Sequence, residues 1–323
     1  MRALVVSNMR PDGEAPERGR FVRDQVDALR RLDGLEVELY EFAPGARELA
    51  RAFARLRRRF ASSRASARAA GAATAFDVVH AHFGLTAWAA RAVPARVRAL
   101  TLHGTDVRHP RTRLLTLAAL PFIDVLGAAS SSLAEELPLR SARRRAQVLP
   151  CGVDVERFQP MDRSRARSQL GLDAERPYLL FPADPSRSEK RHDRAVALAS
   201  ASNAELLVLG GIDPARVPLW VNAANAVVVP SEREGFGLAV LEALACDVPV
   251  LATPVGVHAE AIDGVEGALC APFDLASWRA ALAPQLRASD PRVSGRAHAL
   301  RFSSSEMAAR VAAAWRAALQ RSA

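Results

Sequence analysis

Short runs of β-branched and other apolar residues alternate with Ala/Leu/Arg-rich amphipathic stretches along the whole sequence, and this alternation restricts the fold more than any other feature. Residues 3–6, 37–40, 78–80, 100–103 and 125–128 read as strands, with helical stretches between several of them. Strands of that kind, separated by helices, belong in a parallel sheet covered on both faces. After Leu149-Pro150-Cys151-Gly152 a polar, charge-rich stretch runs from 162 to 176, and the pattern then restarts with strands at 178–181, 206–209, 226–229, 248–252 and 268–270. The expected α/β architecture is therefore two Rossmann-like halves, divided near residues 150 to 155. A chain of 323 residues, half of them hydrophobic, has enough material for two cores. The expected domains are 1–150 and 151–305. A final helix over 306–319 carries Met307, Val311, Ala314, Trp315 and Ala318 on one face, which must pack on something. The sequence leaves its partner open, with a return of 306–323 onto the first domain as one solution.

Composition removes several classes of function. A net charge of +9 invites a nucleic-acid partner, but the arginines are spread along Ala-rich helical segments without basic–aromatic interleaving or zinc-finger spacing. No nucleic acid is expected; an acidic ligand such as a nucleotide diphosphate, or an anionic membrane surface, accounts for the charge. Cys151, Cys246 and Cys270 are far apart and odd in number, which points to reduced thiols in a cytoplasm. The N-terminal MRALVVSNMRPDGE reads as a first strand, not a signal peptide. The apolar stretch 114–126 contains Pro121 and Asp124 and is too short to span a bilayer, so a cytoplasmic protein is expected. No H-E-x-x-H, DxD or cysteine cluster suggests a metal.

In doubly wound sheets ligands sit outside the carboxyl ends of strands. Those ends carry Ser7, His80, His103, Ala183, Gly210 and Pro230. The last of them opens the segment with the most chemistry, PSEREGFGLAVLEALA from 230 to 245, a strand–glycine loop–helix unit. Gly235 and Gly237 allow close approach of a ligand to the backbone, and the free N–H groups at the helix start favour a phosphate. Glu234 lies in the loop and Glu242 about one turn inside the helix, so the two carboxylates can address different parts of one extended ligand. A carboxylate can accept from two vicinal hydroxyls, which suits a sugar ring at Glu234 and a ribose at Glu242.

The spacing of Glu234 and Glu242, with EGFG in front and LEALA behind, resembles the E-x7-E motif of the family 4 retaining glycosyltransferases, which have the GT-B fold. The resemblance implies two Rossmann-like domains facing each other across a cleft, with acceptor recognition in the first and the nucleotide-sugar donor in the second. It implies that Glu234 contacts the donor sugar, that Glu242 contacts the ribose, and that Gly235, Phe236, Gly237 and Leu238 lie in the donor site. Further segments agree in chain order. Residues 149–154 followed by Phe158 look like the family's P-N-G-V-D linker, with Cys151 where Asn is usual. Residues 101–106, TLHGTD, are similar to its H-G-x-D turn, a resemblance that implies His103 near the reaction centre and makes Asp106 a candidate contact to sugar or acceptor. Residues 182–191, PADPSRSEKR, look like its G-R-x-x-x-x-K loop, with Lys190 aligned, Pro185 where the arginine is expected, and Arg187 as the nearest arginine. Gly19 stands for a glycine loop after the first strand, and Gly210 for a turn near the base, followed by a shortened segment 212–218.

What the resemblance implies about chemistry is a metal-independent, retaining transfer, without any cofactor, from a UDP- or GDP-sugar to the hydroxyl of a glycan, lipid-linked or small-molecule acceptor. Glu234, His103 and Lys190 are then the catalytic candidates. Two other readings stand beside it: a degenerate nucleotide-sugar-binding partner, supported by Pro185 and the short 212–218 segment, and a nucleotide-sugar epimerase. Residues 47–61, RELARAFARLRRRFA, place Leu49, Phe53, Leu56 and Phe60 on one helical face flanked by arginines. That face either packs inward or rests on an anionic membrane, peripherally at its inner face, in which case the acceptor would be lipid-linked.

Overall fold

The computed structural model describes residues 1–13, 15–61 and 75–322. The chain divides into two compact units, one made of Met1–Gly13, Arg18–Gly152 and Ser304–Ala323, the other of Glu14–Glu17 and Val153–Ser303.

The first unit is built on six parallel strands: β1 (Arg2–Ser7), β2 (Glu36–Glu41), β3 (Phe76–His82), β4 (Ala95–Leu102), β5 (Val125–Ala128) and β6 (Gln147–Val148), in the order β2-β1-β3-β4-β5-β6. The second has five parallel strands, β7 (Tyr178–Phe181), β8 (Glu205–Val208), β9 (Ala226–Val229), β10 (Val250–Ala252) and β11 (Leu269–Cys270), in the order β11-β10-β9-β7-β8. The central strands are apolar on both faces because helices cover both: Ala3 to Val6 of β1 and Ala226 to Val228 of β9 have no exposure at all. In each sheet the first strand lies between the second and third. The direction of winding reverses there, between β1 and β3 and again between β7 and β9, and the loops leaving those strands border the crevice in which such sheets hold ligands.

The sequence leaves the partner of the last helix open; the structure supplies it. Helix Ser304–Arg321 belongs to the first unit, where Met307, Val311, Trp315 and Ala318 join Val22, Val26 and Leu29 of helix Arg20–Arg30 in one core. Trp315 is fully buried, and its ring stands edge-on to His80 at 5.5 Å. The core of the second unit gathers Leu179, Phe181, Leu198, Val228, Leu251, Trp278 and Leu282.

The amphipathic segment near 47–61 forms helix Ala46–Arg59. Ala52, Leu56 and Phe60 are buried, so most of its apolar face packs inward, while Phe53 remains 37% exposed. Among the described residues no helix is long and apolar enough to cross a membrane. All three cysteines are free, and burial pushes the thiols of Cys151 and Cys246 up to about 12, so neither is a thiolate at neutral pH.

Candidate functional site

In the second unit, two loops leave the sheet at its switch point: 182–191 after β7 and 230–237 after β9. They are laced together. Glu232 N–H donates to the Glu189 carbonyl (2.9 Å), the Arg191 guanidinium reaches Glu232 (2.5 Å), and Arg194 donates to the Pro230 carbonyl (3.2 Å). A short 3-10 turn, Ser188–Lys190, points the lysine inward, and Arg191 closes it in the left-handed region at φ 54°.

The centre of this assembly is Glu234. Its side chain is 8% exposed and receives the Lys190 ammonium on both oxygens, each at 2.7 Å, with the Ser231 hydroxyl on Oε1 at 2.8 Å. Burial alone would raise the carboxyl pKa, but the Lys190 charge, the neighbouring His258 and these hydrogen bonds outweigh it and hold the group below its ordinary value. Glu234 is therefore an ionised carboxylate at neutral pH, inside the protein.

After Glu234 the chain turns through Gly237, at φ 105°, into helix Leu238–Ala245. A side chain could not be added at Gly237: a Cβ there would lie 2.3 Å from His258 Nε2. The first N–H groups of the helix lack the usual partner four residues back, though Val240 N–H reaches the Gly237 carbonyl at 3.3 Å, and the helix dipole favours an anion at that end. Phe236 turns its ring into the core against Phe302, 6.4 Å away, so its contribution at the loop surface is backbone. Leu238 and Glu242 are half-buried on the helix, Glu242 in the second turn. Gly210 lies against the β7 loop, its Cα side facing the Pro185 ring. Arg187 is set apart from Lys190: its side chain is 56% exposed, and its guanidinium is turned onto Glu189 at 2.8 Å.

The first unit holds the other candidates. Gly19, at φ 71°, caps the loop that follows β1 and opens helix Arg20–Arg30; a Cβ there would meet the Met9 carbonyl at 2.3 Å, so only glycine fits. His103 follows β4 and is clamped by the rings of Phe83, Phe21 and His82, with centroids 4.7, 4.9 and 5.2 Å away. Burial, reinforced by His82, holds its pKa well below the usual imidazole value, so the ring is neutral. Asp106, the candidate contact to sugar or acceptor, is engaged by its own turn. It is 2% exposed, and its carboxylate accepts from the backbone N–H groups of His103 (3.1 Å), Gly104 (2.8 Å) and Gly84 (3.3 Å). A short acidic side chain two or three residues past a turn bonds its amides readily, and Asp106 thus holds the His103 turn in place. Its burial outweighs these donors and raises its pKa to about 6.

Three further groups were not read from the sequence. In the sequence Ser231 is one polar residue of the loop after β9. His82 lies two residues past the point where the apolar pattern of β3 stops. His258 follows β10, fully buried, with Nδ1 2.8 Å from the Thr253 carbonyl and Nε2 against Gly237. A carbonyl can only accept, so Nδ1 carries the proton and Nε2 presents its lone pair to the glycine turn. Among the described residues no group of three or more His, Cys, Asp and Glu side chains is placed to hold a metal ion.

Residues 19–157 match the family described as Glycosyltransferase Family 4, and residues 184–287 match Glycosyl transferases group 1. A D-inositol 3-phosphate glycosyltransferase of Stackebrandtia nassauensis is 33% identical over 307 residues, 76% of this chain and 69% of the relative. The chain spans about two thirds of the length of the curated relatives it matches. Among solved structures, sucrose-phosphate synthase from Thermosynechococcus elongatus superposes with a TM-score of 0.68 at 20% identity, covering 98% of each chain. Anabaena HepE in complex with UDP-glucose gives a TM-score of 0.65 at 17% identity, over 97% of this chain and 98% of that one. Two Rossmann-like units, these family matches and these relatives make the chain a member of the family 4 glycosyltransferases, with the GT-B fold.

Proposed function

We propose that the chain moves a sugar from a nucleotide-sugar donor to an acceptor hydroxyl with retention of the anomeric configuration and without a metal ion, the donor bound by the second unit. The observation that carries this reading is the buried Lys190–Glu234 pair, next to the start of helix Leu238–Ala245. An ammonium has three N–H donors; two are directed at Glu234, and the third remains for a phosphate oxygen. Lys190 and the helix start together supply the positive field that a departing diphosphate needs. Glu234 takes the sugar hydroxyls and Glu242 the ribose, with Gly235 to Leu238 lining the turn and Gly210 near the base.

In the reaction the bond between the anomeric carbon and the phosphate oxygen breaks, and its electron pair stays on the phosphate. The acceptor hydroxyl attacks the same face of the anomeric carbon, its proton passes to that phosphate oxygen, and the new glycosidic bond keeps the original configuration. His103 keeps the role at the reaction centre that its resemblance to the family's H-G-x-D turn implies, and acceptor recognition is assigned to the first unit. HepE was solved with UDP-glucose, which supports a UDP-sugar as donor over GDP; the name shared by the relatives adds inositol phosphate to the small hydroxylated acceptors worth offering.

The test is release of nucleoside diphosphate from UDP-, GDP- and ADP-sugars, with and without glycan, lipid-linked and inositol phosphate acceptors. Acceptor-dependent release, lost in Glu234→Gln, supports transfer. Donor binding without release supports a non-catalytic partner, and conversion of the donor sugar without an acceptor supports an epimerase.

A peripheral contact with an anionic membrane is supported by one surface of the first unit. Phe53, Leu115 and Phe122 are 37, 47 and 40% exposed around the half-buried Trp88. The Trp88 and Phe122 rings are 6.3 Å apart, and the Arg91 guanidinium lies 3.7 Å from the Phe122 centroid. Apolar rings with arginines at their margin fit lipid tails and anionic headgroups.

A further inference from the structure

His80 and His82 alternate with Val79 and Ala81 along β3, so both imidazoles project from the same face of the sheet, with ring centroids 4.8 Å apart and planes 25° apart. His80 Nε2 lies 2.8 Å from the Thr101 hydroxyl, and His82 Nδ1 lies 2.9 Å from His103 Nε2. Burial holds the pKa of His82 down at about 3 and that of His103 well below the ordinary value, so each ring is neutral and carries one proton. A hydrogen bond between two neutral imidazoles contains one proton, and it belongs either to His82 or to His103.

The far side of His82 decides between them. Its Nε2 is buried and has no hydrogen-bond partner among the described residues. Were His103 the donor, through Nε2–H, His82 would accept at Nδ1 and carry its own proton on Nε2, as a buried N–H without an acceptor. Were His82 the donor, through Nδ1–H, the unpartnered Nε2 would be a lone pair. An orphaned N–H is the rarer and costlier of the two in folded proteins. The same reasoning gives His80 its proton on Nε2, donated to Thr101, since His80 Nδ1 is also without a partner among the described residues.

We propose that His82 is a positioning residue that fixes His103 in the tautomer protonated at Nδ1, so that His103 offers its ligand a hydrogen-bond donor. The proposal rests on the role at the reaction centre given to His103 under the proposed function. It deepens that reading in one respect: the ligand group facing His103 is a hydrogen-bond acceptor, such as a sugar oxygen, and Nδ1 does not act as a general base. Phe21 and Phe83 pack on the His103 ring, and Asp106 accepts its backbone N–H. The ring is thereby held in one orientation, and the tautomer is the remaining variable that His82 sets.

The experiment is ¹⁵N NMR of the histidine ring nitrogens of the full chain at neutral pH, with His82 and His103 assigned by comparison with His82→Asn. A protonated Nδ1 and an unprotonated Nε2 on His103 are expected; the reverse pattern overturns the proposal whether or not the protein transfers sugar. Turnover supplies the second readout. The His82→Asn amide keeps an N–H near the position of Nδ1, so that variant should retain the His103 tautomer and keep kcat within about threefold, whereas His82→Leu should lower kcat by at least about tenfold with donor KM little changed. His82→Leu with wild-type kcat, or equal losses in the two variants, overturns the positioning role. If no acceptor supports turnover at all, the proposed function fails while the NMR result still decides the tautomer.

Discussion

Removing the Lys190 ammonium should destabilise the protein in a manner that depends on whether Glu234 can still ionise. The two side chains are 15 and 8% exposed, and the ammonium contacts both carboxylate oxygens at 2.7 Å. Lys190→Met leaves Glu234 with the Ser231 hydroxyl in place of a full countercharge. Breaking a buried pair from one side costs about 3–5 kcal/mol, and the lysine's proximity to solvent places this one near 3 kcal/mol. For a unit of this size that is roughly a 6–12 °C fall in Tm at pH 7.5. Glu234→Gln in the same chain removes the stranded charge, so the double variant should be at least about 1 kcal/mol more stable than the two single losses combined. The pH dependence follows in sign. In the wild type the Glu234 pKa is depressed, so its contribution is present at neutral pH and lost as pH falls through the carboxylate range. In Lys190→Met, burial is no longer opposed by the lysine, the pKa rises, and stability should improve on acidification toward pH 5. Thermal unfolding of the full-length variants at the two pH values measures both. A Lys190→Met Tm within about 2 °C of wild type at pH 7.5, or strictly additive losses, would refute the reasoning.

Other expectations concern turnover, the glycine turn, the histidines and the lipid surface. Glu234→Gln should cut acceptor-dependent turnover by at least about a hundredfold, and Glu242→Gln should act mainly on donor KM, in steady-state kinetics. Gly237→Ala should weaken donor binding and cost about 1–3 kcal/mol in unfolding, because φ 105° strains the residue and the methyl meets His258; His258→Ala should recover part of that loss. His80, His82 and His103 have depressed pKa values in the fold, so their contribution is full above about 6.5 and is lost as pH falls. Each ring then adds about 1.4 kcal/mol per pH unit to the acid slope of unfolding, and His82→Asn should remove one such share. Anionic liposomes should pellet the protein more than neutral ones, and Phe53→Ser with Phe122→Ser should abolish the difference.

Much of the fold was legible because its central strands are covered on both faces and so read as plain apolar runs: 125–128, 178–181 and 226–229 coincide with β5, β7 and β9. Elements with weak apolar signals were less visible. β6 is two exposed residues, Gln147 and Val148, at a sheet edge, and β3 runs on through Ala81 and His82 after a pattern that stops at His80. Glu234 could be picked out from its glycine loop and Lys190 from its resemblance to the family's lysine loop, but their pairing could not. It arises because β9 lies beside β7 in the sheet, a fact of strand order that brings together residues 44 apart in sequence. The same holds for His258 and Gly237, which meet through the adjacency of β10 and β9. The engagement of Asp106 was not visible either: its carboxylate accepts from the backbone of its own turn, a local contact that residue type alone does not announce.

The most direct test of the account is the anomeric configuration of the product, read from the ¹H coupling of the anomeric proton after incubation of an α-linked UDP-sugar with an acceptor. An α-glycoside, formed by the wild type and absent with Glu234→Gln, is the expected result. A β-glycoside, or equal product from the Glu234→Gln variant, would contradict a retaining transfer centred on Glu234 and Lys190.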